Sequence, residues 1–100
     1  MQTITVLGAT GSIGESALSL VAQHPERFKV FGLSAHSDVE GLLGLAERFQ
    51  PTLLAMASPV AAATLRARLL SHADPRLRAL ECLEGEEGLC TLARGDGPQR

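Results

Sequence analysis

An incomplete parallel α/β sheet with flanking helices is the fold class this sequence predicts, on three observations. Runs of strand-forming residues alternate with segments of helical periodicity, at roughly the thirty-residue length of a βαβ unit. The first run, Thr3–Leu7, enters a turn whose glycines Gly8, Gly11 and Gly14 stand three apart. Most helical segments also begin or end at residues with a local reason to be there: hydroxyl or carboxylate caps, and prolines.

Thr3–Leu7 reads as the first strand, apolar enough to be buried on both faces as a central parallel strand is. Ser12–Gln23 reads as a helix, with Ile13, Ala17, Leu20 and Val21 sharing one face. His24 precedes Pro25 and ends it, because a residue before proline is pushed out of the helical region. Phe28–Ser34 is the second strand. Ser37, with Glu40 three residues on, fits a capping box for the next helix. Val39, Leu42, Leu43, Ala46 and Phe49 form that helix's apolar face, and Gln50-Pro51 ends it. Thr52–Met56 is a third strand, and Ser58-Pro59 starts a helix to about Ser71 as a hydroxyl cap followed by proline at the first turn. Beyond Asp74-Pro75, Leu77–Leu83 reads as a short strand near a sheet edge. Glu84–Ala93 reads as a short helix with Leu89 and Leu92 inward, and Arg94–Arg100 as a polar, turn-rich tail.

An apolar strand, a glycine turn and a helix start together form the phosphate-binding opening of a dinucleotide fold. The glycines let the backbone turn sharply and approach a pyrophosphate with no side chain between. The helix directs unpaired N–H groups and the positive end of its dipole at that anion. Thr10 and Ser12 add hydroxyls beside the helix start. The same glycines would also serve a tight turn that holds no ligand. Taken with the strand on one side and the helix on the other, they point to NAD(P).

The end of the second strand selects between the two dinucleotides. An acidic residue about 20 positions past the glycines ordinarily grips the ribose hydroxyls of NAD. Here Leu33-Ser-Ala-His-Ser-Asp38 carries no carboxylate at Ser34 or Ala35, and the first one arrives at Asp38. His36 and Ser37 suit a 2′-phosphate better than a carboxylate would, so the residues lean to NADP. Each has a structural alternative: Ser37 or Asp38 as a helix cap, His36 as a solvent-facing loop residue.

Composition excludes other classes. With 9 Lys+Arg against 11 Asp+Glu, no Trp and no Tyr, the chain offers neither a basic stripe nor a stacking platform for nucleic acid. No apolar run approaches a bilayer span. Cys82 and Cys90 fall on separate elements with no neighbouring histidine, and His24, His36 and His72 lack metal-ligand spacing. A chain with only these two cysteines suits a reducing cytoplasm.

Three stretches together resemble a known family. Thr5–Gly14 (Thr-Val-Leu-Gly-Ala-Thr-Gly-Ser-Ile-Gly), His24–Val30 (His-Pro-Glu-Arg-Phe-Lys-Val) and Leu33-Ser-Ala35 look like the start of the 1-deoxy-D-xylulose 5-phosphate reductoisomerase family. Phe49-Gln-Pro51 and Met56 agree. The resemblance implies an NADPH-dependent oxidoreductase of isoprenoid biosynthesis that works with a divalent metal, Mg or Mn, on a sugar phosphate. It implies a Rossmann-like nucleotide-binding domain whose N-terminal part is residues 1–100. Carried over by position, the NADPH contacts are Thr10, Gly11, Ser12 and Ile13, then His36, Ser37 and Asp38. Some members have a Gly-Lys-Asn type loop at this last site; here it reads His-Ser-Asp, with no lysine for the 2′-phosphate. Family enzymes are several times longer, act as cytoplasmic homodimers, and carry their metal and catalytic residues beyond this region. The expectation is therefore a chain with no catalytic or metal residue of its own, inactive alone, with its first strand left as an open apolar edge. Two other readings share the glycine turn: the N-terminal part of an aspartate-semialdehyde dehydrogenase-like NADP enzyme, and a stand-alone nucleotide-binding module.

Overall fold

The computed structural model describes residues 2–94, the last of them by its backbone alone. Its elements are β1 (Gln2–Val6), α1 (Ser12–Gln23), β2 (Phe28–Ala35), α2 (Val39–Phe49), β3 (Leu53–Met56), α3 (Pro59–Leu70), α4 (Pro75–Arg78), β4 (Glu81–Glu84) and α5 (Gly85–Arg94). The four strands make one parallel sheet in the order β1-β2-β3-β4. Each crossover steps the same way along the sheet, so right-handed connections put α1, α2 and α3 on one face. Leu18 and Val21 of α1, Leu42 and Ala46 of α2 and Leu65 and Leu69 of α3 accordingly share a core with Leu33, Leu54 and Met56. The other face is covered by α5, whose Leu92 packs with Phe31, Leu53 and Ala55.

One irregularity governs the end of β2. Ile4 pairs with Val30 but Thr5 with Gly32, so β2 carries one extra residue, Phe31, against β1. Such a bulge interrupts the alternation of faces. Val30, Leu33 and Ala35 therefore all lie in the larger core, while Phe31 lies in the smaller one.

Four sequence expectations change. β1 is not buried on both faces: it pairs only with β2 among the described residues, and its burial runs from exposed at Gln2 and Thr3 to buried at Val6. The inward face of α1 is Gly14, Leu18 and Val21, leaving Ile13 88% and Leu20 52% exposed. Gly14 causes this. A Cβ there would lie 2.4 Å from the Gly8 carbonyl oxygen and 2.6 Å from Ala9 Cα, and that close approach sets the rotation of the helix. The capping box on α2 does not form. Asp38 is the N-cap, accepting from Gly41 N–H at 2.9 Å, and Glu40 pairs with Arg68 instead. Finally, Leu77 and Arg78 belong to α4, which starts at Pro75 with the Asp74 carboxylate accepting from Arg76 N–H, so β4 begins only at Glu81.

The remaining boundaries agree within a residue or two, including α1 ending at the His24 C-cap and α3 opening on Ser58-Pro59. β4 is held to α3 by Arg66, which donates to the Cys82 carbonyl from Nε at 2.9 Å and pairs with Glu84 at 2.7 Å. The tail read at 95–100 lies outside the described residues.

Candidate dinucleotide site

In a parallel sheet the C-terminal strand ends meet at one edge, and there β1 and β2 each lead into a helix. Between β1 and α1 the chain makes a tight turn: Gly8 adopts φ +64°, and its carbonyl accepts from Gly11 N–H at 3.0 Å. Gly8 is glycine because an L side chain in that left-handed region is strained. Gly11 is the N-cap of α1, and no side chain caps that end. The helices after β2 and β3 differ: Asp38 caps α2, and Ser58 caps α3 by accepting from Ala61 N–H at 3.3 Å. The α1 end thus keeps its first-turn donors and its dipole free of a side-chain partner.

The turn is tied to β2. Ala9 N–H donates to the Ser34 carbonyl at 2.7 Å and Gly8 N–H donates to Ser34 Oγ at 3.1 Å. At the next strand end, Ala57 N–H donates to the Ala35 carbonyl and Ser58 N–H to the His36 carbonyl. A crevice of 230 Å³ opens between these segments. Leu7 and Gly8 form one wall, Ala57 and Leu89 the other, with Ser34, Ala35 and His36 between them. A hollow of 490 Å³ lies at the opposite edge, beside Val21, Phe28 and Phe49, with no glycine turn or uncapped helix start against it.

Of the residues expected from sequence, Thr10 is half-buried, while Gly11, Ser12 and Ile13 are exposed around the start of α1. His36, Ser37 and Asp38 are exposed on the turn after β2. Of the named residues His36 alone lines the crevice; Thr10, Gly11, Ser12 and Ile13 follow Gly8, which forms part of its wall, and do not line it. Asp38 has its carboxylate folded back on its own helix. Sequence reasoning missed Ser34, Ala57 and Leu89. Ser34 had a signal, a hydroxyl inside the apolar run Phe28–Ala35. Leu89 had none, because its place depends on how α5 folds over the sheet.

Among the described residues no three His, Cys, Asp or Glu side chains come together in a group that could hold a metal ion. Burial pushes the Cys82 thiol up to about 11, which keeps it protonated and unreactive near neutral pH. No described helix is long and apolar enough to cross a membrane.

The sequence model described as 1-deoxy-D-xylulose 5-phosphate reductoisomerase matches residues 4–98, nearly the whole chain. The chain belongs to that family. A 1-deoxy-D-xylulose 5-phosphate reductoisomerase of Pseudomonas putida is 46% identical over 92 residues, which are 92% of this chain and 22% of the relative. One from a Synechococcus species is 44% identical over 101 residues, covering 100% of this chain and 24% of that protein. The chain therefore spans about a quarter or less of the reductoisomerases it matches. Among solved structures, a DOX-P reductoisomerase in complex with NADPH, fosmidomycin and magnesium superposes with a TM-score of 0.84 at 36% identity, over 93% of this chain and 22% of that one. The Zymomonas mobilis reductoisomerase in complex with NADPH gives 0.80 at 33% identity, over 92% and 23%. The parallel sheet with flanking helices is thus the reductoisomerase arrangement over this region.

Proposed function

We propose that residues 1–100 form the N-terminal, NADPH-binding part of a 1-deoxy-D-xylulose 5-phosphate reductoisomerase. The observation that carries this is the uncapped start of α1 behind the Gly8–Gly14 turn, in a chain of this family. Ser12 and Ile13 present backbone N–H groups to the pyrophosphate, with the Thr10 and Ser12 hydroxyls beside them and Gly11 lining the approach without a side chain. His36 and Ser37 meet the 2′-phosphate end. Asp38 closes that turn as a helix cap, which keeps its negative charge turned towards Gly41. NADPH supplies the hydride for the reductive half of a reaction that rearranges and reduces 1-deoxy-D-xylulose 5-phosphate to 2-C-methyl-D-erythritol 4-phosphate, in the non-mevalonate route to isoprenoids.

The substrate, the divalent metal and the catalytic side chains belong, in this reading, to the rest of a homodimeric cytoplasmic enzyme, and this chain alone turns over no substrate. Calorimetric titration of NADPH and NADH into the chain tests the proposal. Binding that favours NADPH supports it. A folded chain that binds neither removes the cofactor assignment, and a preference for NADH overturns the reading of His36 and Ser37.

A further inference from the structure

Ser34 is the one buried polar side chain among the described residues, 2% exposed at the end of an otherwise apolar strand. A buried hydroxyl is costly unless it is hydrogen-bonded, and alanine would fill nearly the same space at no such cost. The hydroxyl has one partner, and it is informative: Oγ accepts from Gly8 N–H at 3.1 Å. The main-chain carbonyl of the same residue accepts from Ala9 N–H at 2.7 Å. One residue of β2 therefore holds two successive peptide groups of the glycine turn. The Ser34 side chain fixes the peptide between Leu7 and Gly8, and its carbonyl fixes the peptide between Gly8 and Ala9. The carbonyl of that second peptide, Gly8 C=O, in turn accepts from Gly11 N–H at 3.0 Å, at the N-cap of α1. A continuous series of hydrogen bonds thus runs from β2 to the helix start, and such series polarise and stiffen their members.

We infer that Ser34 is a positioning residue for the dinucleotide. Its hydroxyl sets the turn in its phosphate-receiving shape before any cofactor arrives, without touching the 2′-phosphate end. The inference rests on the NADPH-binding reading given above. Gly8 tolerates its φ of +64° as glycine, but the same freedom leaves its peptide planes loosely determined unless something outside the turn fixes them. The β1–β2 ladder does not reach the Gly8 amide, since its last pair is Val6 with Leu33. The Ser34 hydroxyl extends the hold of β2 by that one amide.

The test uses Ser34→Ala and Ser34→Cys in this chain. Cysteine keeps the shape and packing of serine but is a weak acceptor, so a packing role predicts wild-type behaviour for Cys and a hydrogen-bonding role predicts that Cys behaves like Ala. Two quantities are read: the exchange rate of the Gly8 amide in the free chain, and the dissociation constants for NADPH and NADH. Both variants are expected to speed Gly8 exchange about ten-fold. Both should weaken the two dinucleotides by the same factor of about five, because the turn serves the pyrophosphate they share. Unchanged Gly8 exchange, wild-type behaviour in Ser34→Cys, or a loss confined to NADPH would each overturn the inference. Failure of the wild-type chain to bind either dinucleotide removes the cofactor reading itself. In that case a faster Gly8 amide in the variants leaves Ser34 a structural anchor of the turn and no more.

Discussion

The starts of α1 and α2 stand side by side at one edge of the sheet, after adjacent parallel strands, and they are finished in opposite ways. At α2 the Asp38 carboxylate folds over the helix start and takes the Gly41 N–H. At α1 the cap position is Gly11, with no side-chain bond, and the turn before it is pinned from behind by Ser34. An aspartate cap contributes ~1 kcal/mol to folding and satisfies a donor that would otherwise need water. Leaving that contribution out at α1, while building the turn so closely, fits an end kept for an anion from outside. A protein that wanted only two stable helices would cap both.

Substitutions can break this contrast. The largest effect is expected from Gly14→Ala, whose methyl would sit 2.4 Å from the Gly8 carbonyl oxygen and 2.6 Å from Ala9 Cα. Both neighbours are backbone, so α1 must move off the turn, at a cost of about 3 kcal/mol or more; the urea midpoint reads it. Next comes Gly11→Asp, which gives α1 the finish that α2 has. A Cβ there meets only the Gly8 carbonyl oxygen at 3.4 Å, so the fold should hold its stability or gain a few tenths of a kcal/mol. NADPH affinity should nevertheless fall about 100-fold or more, because a carboxylate then faces the pyrophosphate. Retained affinity in that variant would refute the site at α1.

Smaller effects sharpen the comparison. Gly8→Ala meets no atom within 4 Å, so its cost is the left-handed backbone alone, ~1–2 kcal/mol in thermal or chemical unfolding. Asp38→Ala should lose ~1 kcal/mol through the cap. Its NADPH affinity should stay within about two-fold, since an exposed and screened charge turned towards its own helix contributes little to binding. A large change in affinity there would show that Asp38 meets the cofactor directly.

The legible parts of this molecule are those decided by neighbours in sequence. The Gly8-Gly11-Gly14 spacing, the proline at Pro25, the Ser58-Pro59 start and the 3.6-residue pattern from Val39 to Phe49 all act within a few residues, and each element they predicted is present. The errors fall where distant contacts decide. Ser37 and Asp38 are both competent caps, and the choice between them depended on the path out of β2. The inward face of α1 was set by Gly14 against Ala9, which turned Leu18 in and Ile13 out. Likewise, the apolar content of β1 says nothing of how many strands flank it. The site followed the same division. Its glycines and His36 were readable, whereas Ser34, Ala57 and Leu89 enter it only through strand pairing and the fold of α5.

The extra residue at Phe31 puts the length of β2 under a constraint that its composition hides. Side chains alternate along a strand, so three regular steps would put Val30 and Leu33 on opposite faces, and it is the extra residue that returns Leu33 to the face of Val30. Removing Phe31 would leave Ile4–Val30, Thr5–Gly32 and Val6–Leu33 as a regular ladder, with Leu33 and Ala35 still inward and Ser34 still at Gly8, and would empty the place of Phe31 beside Leu53, Ala55 and Leu92. One residue more between Gly32 and Leu33 would instead turn every later position over, taking Leu33 and Ala35 out of the core and the Ser34 hydroxyl away from Gly8 together. The reach of β2, counted in residues, is as much a part of the candidate site as the glycines are.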